Sequence, residues 1–123
     1  MLLDAPCSAT GTIRRHPDVP HLKRPRDIAA LAAGQDRLLA AACAMLRPGG
    51  RLIYAVCSLQ PEEGAARVTA ARVAGLNHDP FTEAELACLP EARTKEGFLR
   101  THPGLWPGRG GMDGFFAARL IRR

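Results

Sequence analysis

The chain has 123 residues, 46% of them hydrophobic, 24% charged and 5% aromatic, which allows one domain or part of one and excludes two ordinary cores. Twelve glycines and ten prolines stop short of a low-complexity composition, and the apolar content is too high for an unfolded chain. The net charge of +5 rests on 17 cations, nearly all of them arginine; guanidinium suits a bidentate grip on phosphate and equally suits plain solubility.

Residues 1–4 are an apolar run closed by Asp4, with Pro6 close behind, as in a short buried strand. A basic loop containing Gly11 runs from Ser8 to about Pro25. The spacing of Ile28, Leu31, Leu38, Leu39, Ala42, Met45 and Leu46 predicts helix over 27–46, with Gly34 dividing a short first helix from a longer second one. The longest apolar run, residues 38–46 between Arg37 and Arg47, is too short for a bilayer span. No secretory leader pattern opens the chain, so a cytoplasmic location without a membrane partner is expected.

Pro48-Gly49-Gly50 ends the helix, and 52–56 reads as a strand. Pro61-Glu62-Glu63 has proline and acids where a helix starts, predicting a helix to about Ala74. Residues 75–96 are weakly patterned and read as loop, with a short helix near 83–88. A strand is expected at 98–101, a long loop through Gly114, and a closing strand over 115–121. The order strand, helix, strand, helix, strand, strand means an α/β fold with a parallel pair at its start.

Parallel strands joined by a helix end at the same edge of the sheet, which is where open α/β sheets bind ligands. Cys7 lies just past the first strand and Cys57 at the end of the second, so their thiols should converge on one cleft. A buried cysteine is most often a small hydrophobe, the reading adopted for Cys43 and Cys88; for Cys7 and Cys57 spacing alone leaves both readings open. The four cysteines contain no CxxC pair, which fits reduced thiols rather than a disulfide framework. Cys7, His16 and His21 match no common ligand spacing, and no metal is expected.

The segment Leu3-Asp-Ala-Pro-Cys-Ser-Ala-Thr-Gly-Thr-Ile-Arg-Arg-His-Pro-Asp18 resembles the fourth motif of the RNA 5-methylcytosine methyltransferases, in the bacterial small-subunit ribosomal RNA branch called Sun or Fmu (RsmB-like). Tyr54-Ala-Val-Cys-Ser-Leu-Gln-Pro-Glu-Glu63 is similar to that family's sixth motif, and Gly111-Met-Asp-Gly-Phe-Phe-Ala-Ala-Arg-Leu120 to its closing strand. The matches come in family order and span the chain apart from 75–96. The resemblance implies the C-terminal half of a Rossmann-like methyltransferase sheet, parallel strands followed by an antiparallel closing hairpin. It implies methyl transfer from S-adenosylmethionine to C5 of a cytosine in ribosomal RNA.

C5 of cytosine is a poor nucleophile, and a thiolate adding to C6 turns the ring into an enamine that can attack a methyl group. The resemblance makes Cys57 that nucleophile and gives Cys7 the release of the methylated base. Attack needs the thiolate, and the helix expected at Pro61 is placed to favour negative charge nearby. By the same resemblance Asp4 and Pro6 are expected to face the cofactor, and Arg14, Arg15, His16, Lys23, Arg24 and Arg26 to face RNA phosphates. Trp106 is open to base stacking or to loop anchoring. Val56 stands where the family commonly has Thr, and Gly64 where it commonly has Asn.

The family's Gly-rich cofactor loop and ribose-binding acid have no counterpart in these residues. The chain is therefore expected to be a single partial domain over 1–123, inactive alone, with an upstream half of the same enzyme as a partner. The alternative is a non-catalytic RNA-binding or interaction remnant of such an enzyme.

Overall fold

Leu52, Tyr54 and Val56 alternate along one strand, and Phe116, Ala118 and Leu120 along another, giving each an apolar face. In the computed structural model, which describes residues 1–123, these two strands form the centre of a five-stranded sheet. The strands are β1 (Leu2–Asp4), β2 (Arg51–Val56), β3 (Leu76–His78), β4 (Leu99–Arg100) and β5 (Phe116–Arg122), in the order β1-β2-β5-β3 with β4 also on β5. β1 and β2 are parallel; β2, β3 and β4 are all antiparallel to β5. This is the mixed α/β sheet expected, parallel at its start and antiparallel at its close.

The registers Leu52↔Leu120, Tyr54↔Ala118 and Val56↔Phe116 place both apolar stripes on one face. Three helices accompany the sheet: α1 (Val19–Leu22), α2 (Pro25–Met45) and α3 (Ala65–Ala71). From α2 and α3, Leu39, Ala42, Cys43, Val68 and Ala71 enter the same core. Fully buried Leu39, Leu52, Leu76 and Leu120 are each worth about 1.5–3 kcal/mol of transfer free energy. On the opposite face Arg119 ties down the 79–85 segment, pairing with Asp79 at 2.8 Å and Glu85 at 2.5 Å and lying over the Phe81 ring.

Five expectations are corrected. Gly34 does not divide the helix, because a glycine costs a helix interior only about 1 kcal/mol and the continuous apolar stripe outweighs that. The short α1 precedes it instead. The helix expected from Pro61 is a single tight turn at Pro61–Glu63, interrupted at Gly64 before α3, because Glu63 turns inward and its carbonyl accepts a bond from the Tyr54 hydroxyl (2.7 Å). Residues 83–88 are turns, not helix, and Cys88 is exposed rather than buried. Leu76–His78, expected as loop, is an edge strand held by pairing to β5. At 21 residues α2 is long and apolar enough to cross a bilayer by composition, unlike the nine-residue run within it. It lies against the sheet with Leu39 in the core.

Candidate active site

The parallel register Asp4↔Ala55, extended by the bond from Ala5 N–H to Ala55 C=O (2.9 Å), brings β1 and β2 to an end together. Three residues past Asp4 and two past Ala55 the chain carries Cys7 and Cys57, whose Sγ atoms lie 3.5 Å apart. Both thiols are half-buried and neither is in a disulfide. Burial pushes the Cys7 thiol up to about 12, with the neighbouring Cys57 thiol adding to the effect, so Cys7 keeps its proton at neutral pH.

The loops carrying the thiols are locked to the start of β5. Gly11 N–H donates to Cys57 C=O at 3.0 Å, and Gly114 N–H donates to Gly11 C=O at 2.7 Å. A Cβ at Gly11 would stand 1.9 Å from Gly114 O and 2.9 Å from Cys57 O, so only glycine lets the three segments meet. Between Cys7 and Gly11, Ala9 sits in the left-handed region at φ 57°, a conformation that costs a non-glycine residue roughly 1 kcal/mol or more.

Beneath the thiols lies a carboxyl group that sequence reasoning missed. Glu63 is fully buried and accepts bonds from Ser8 N–H (2.9 Å), Ser8 Oγ (2.5 Å), Ser58 Oγ (2.5 Å) and Gln35 Nε2 (3.1 Å). Gln35 Nε2 also donates to Pro6 C=O at 2.9 Å, and Leu59 N–H donates to Thr10 Oγ1 at 2.9 Å. Burial pushes the Tyr54 phenol up, with the Glu63 charge contributing. In the sequence Glu63 closes the segment similar to the family's sixth motif, but the only role it suggests there is that of an acid in a first helical turn. The signal that marks the site is the repeated Cys-Ser dipeptide, Cys7-Ser8 and Cys57-Ser58, one at each strand end.

The other residues singled out from the sequence lie around this junction. Asp4 and Pro6 are exposed at the β1 end, and Pro6 borders a cleft of about 270 Å³ with Leu31, Gln35 and Leu38. Arg14 and Arg15 are not free cations: both pair with Asp113, at 3.2 and 2.5 Å. The Arg15 guanidinium, with Arg14 beside it, holds the Asp113 carboxyl below the usual carboxylate range. His16, Lys23, Arg24 and Arg26 are exposed, and none of them makes an ion pair. Trp106 is half-buried with the Arg109 guanidinium 5.0 Å from its ring centre.

The largest cleft, about 650 Å³, is not at the thiols but between α3 and β5, walled by Val68, Phe98, Arg100 and Phe116. Arg100 joins the two places, donating to Ser58 C=O at 2.5 Å while lying over the Phe116 ring.

Residues 1–121 match the family model described as 16S rRNA methyltransferase RsmB/F. The chain is 45% identical over 123 residues to ribosomal RNA small subunit methyltransferase B of Klebsiella pneumoniae and 44% identical over 125 residues to that of Vibrio vulnificus. Both alignments cover all of this chain and 26% of the relative, so the chain spans about a quarter of their length. Among solved structures it is similar to NSun6 from Pyrococcus horikoshii with SFG, at TM-score 0.74 and 28% identity over 98% of this chain and 29% of that one. A methyltransferase homolog protein from the same organism aligns at TM-score 0.68 and 27% identity, covering 99% and 38%. With a family match running from the first strand to the last, the chain belongs to the 16S rRNA methyltransferase RsmB/F family.

Proposed function

We propose that this chain carries the thiol centre of a cytosine-C5 methyltransferase acting on small-subunit ribosomal RNA in the cytoplasm. The observation that carries the reading is the pair of unbonded thiols 3.5 Å apart at the ends of two parallel strands. In this reading Cys57 adds as thiolate to C6, forming the S–C bond and pushing the C5=C6 electrons into the ring, so that C5 becomes nucleophilic. S-adenosylmethionine supplies the methyl group that C5 takes up. Its S–CH3 bond breaks as the C5–CH3 bond forms, leaving S-adenosylhomocysteine; a base, water in the simplest case, then takes the C5 proton, which restores the C5=C6 bond and expels Cys57 as thiolate.

Cys7, which keeps its proton at neutral pH and lies 3.5 Å from Cys57 Sγ, assists this release by donating a hydrogen bond to the departing thiolate rather than by taking the C5 proton. Asp4, an exposed carboxylate at the strand end, suits the cofactor's cationic or hydroxyl groups, and Pro6 shapes the adjoining turn. Lys23, Arg24 and Arg26 are available to RNA phosphates, as is His16 when protonated; Arg14 and Arg15 reach them by sharing or leaving Asp113. An upstream half of the same enzyme supplies the remaining cofactor contacts.

The test is methylation of small-subunit ribosomal RNA by the full-length protein. Cys57→Ala should abolish transfer, whereas Cys7→Ala should accumulate a protein–RNA adduct that survives a denaturing gel. Methylation by the Cys57→Ala protein would overturn the assignment.

A further inference from the structure

We propose that Glu63 is a positioning residue that holds Cys7 and Cys57 together, an inference that rests on the thiol chemistry proposed above. The thiols belong to loops 50 residues apart in sequence, joined directly by the bonds from Gly11 N–H to Cys57 C=O (3.0 Å) and from Leu59 N–H to Thr10 Oγ1 (2.9 Å), neither of which holds the Cys-Ser dipeptides to one another. The residue after each thiol donates its hydroxyl to the same oxygen, Glu63 Oε2, both at 2.5 Å. Ser8 N–H fixes the other oxygen at 2.9 Å, and Gln35 braces it from α2. One fully buried carboxyl group is therefore the common acceptor of both thiol loops.

The hydroxyl protons account for this arrangement. Ser8 and Ser58 each have one, and each gives it to Glu63, so their own 3.1 Å contact adds no bond between the loops. Thr10 Oγ1, 3.4 Å from both serine oxygens, can give its proton to only one of them. Without the carboxyl group the two loops lose their shared acceptor, and buried donors are left unpaired. Glu63 bonds to neither thiol, so it acts through Ser8 and Ser58.

The experiment reads the thiol spacing directly, without methyl transfer. Diamide oxidises two neighbouring thiols to a disulfide, taking up two electrons and two protons, and peptide mass spectrometry counts the Cys7–Cys57 link in a Cys88→Ser background. A misplacement of about 1 Å can cost on the order of a hundredfold in a positioned reaction. Glu63→Ala and Glu63→Asp, which withdraws the carboxylate by one methylene, should therefore link roughly tenfold or more slowly than the parent.

Val68→Ala, a core truncation away from the thiol loops, controls for lost stability and should link at the parent rate. If Glu63→Ala does not fold, Glu63→Asp decides. Parent-rate linking in a folded Glu63→Asp protein, or equal slowing in Val68→Ala, overturns the proposal. Failure of the covalent mechanism would show instead as methylation by the Cys57→Ala protein, with the linking rates unchanged.

Discussion

Glu63 and Asp113 each join two segments distant in sequence, but by different means. Glu63 is fully buried and held by uncharged donors from Ser8, Ser58 and Gln35. Asp113, itself largely buried, takes its bonds from two guanidinium groups, Arg14 and Arg15, whose own side chains are exposed. Short neutral donors in a dry site fix a position, because any displacement strands a polar group without water. Long cations at the surface lose little by moving, since water and salt replace the pairing. The first arrangement suits a reacting pair of thiols, and the second suits a loop that must exchange its carboxylate for phosphate.

The largest expected effect comes from breaking the rigid junction at its backbone. Gly11→Ala places a methyl group 1.9 Å from Gly114 O, and the obstruction is main chain rather than a yielding side chain. The loops must part, at a cost of about 1–3 kcal/mol or more. A lower urea midpoint and a slower Cys7–Cys57 link are expected together. An unchanged midpoint would show that the junction yields as easily as the surface one.

The two junctions are unequally legible in the sequence. The strands over 52–56 and 115–121 can be read because short apolar runs of strand length follow Gly-rich segments. β3 cannot, because Leu76-Asn77-His78 is too short for a period and is held by its partner β5. Motif and strand order locate the thiols. The same motif contains Glu63 but does not show that its carboxylate turns inward beneath them, because an acid after proline already fits a helix start. Nor does the sequence reveal that Arg14 and Arg15 are paired, since Asp113 lies about a hundred residues away and only the fold brings it near.

Next in size is an opposite response to pH. Cys7 holds its proton to about 12 in the fold, against an ordinary 9.0, so its contribution to stability is complete below about 9 and falls as pH rises toward 12. The raised Tyr54 phenol adds a loss in the same direction above its ordinary 10.0. Asp113 is held below its ordinary 3.8, so its contribution is present above that value and lost as pH falls through the lower folded one. Urea midpoints across pH should decline on the alkaline side, less steeply in Cys7→Ala. Hydrogen-exchange protection in the loop around Asp113, corrected for the intrinsic rate at each pH, should fall on the acid side. An alkaline limb unchanged in Cys7→Ala would remove Cys7 as its source.

The smallest effect on stability, and the sharpest test of the contrast, is Asp113→Asn. Exchanging this carboxylate for an amide of the same shape keeps an acceptor oxygen for the arginines and should lower the melting temperature only slightly, by an amount that fades as salt shortens the Debye length toward about 3 Å at 1 M. It also releases Arg14 and Arg15 together. If those cations then meet phosphate, binding to single-stranded RNA should depend more steeply on salt, by about 0.7 in the logarithmic slope for each additional phosphate neutralised. Neutralising Lys23, Arg24 and Arg26, which have no ion-pair partner to lose, should make the slope shallower by the same measure. A shallower slope in Asp113→Asn would mean that the carboxylate presents the arginines to RNA rather than competing for them, and the surface junction would then be a positioning device like the buried one.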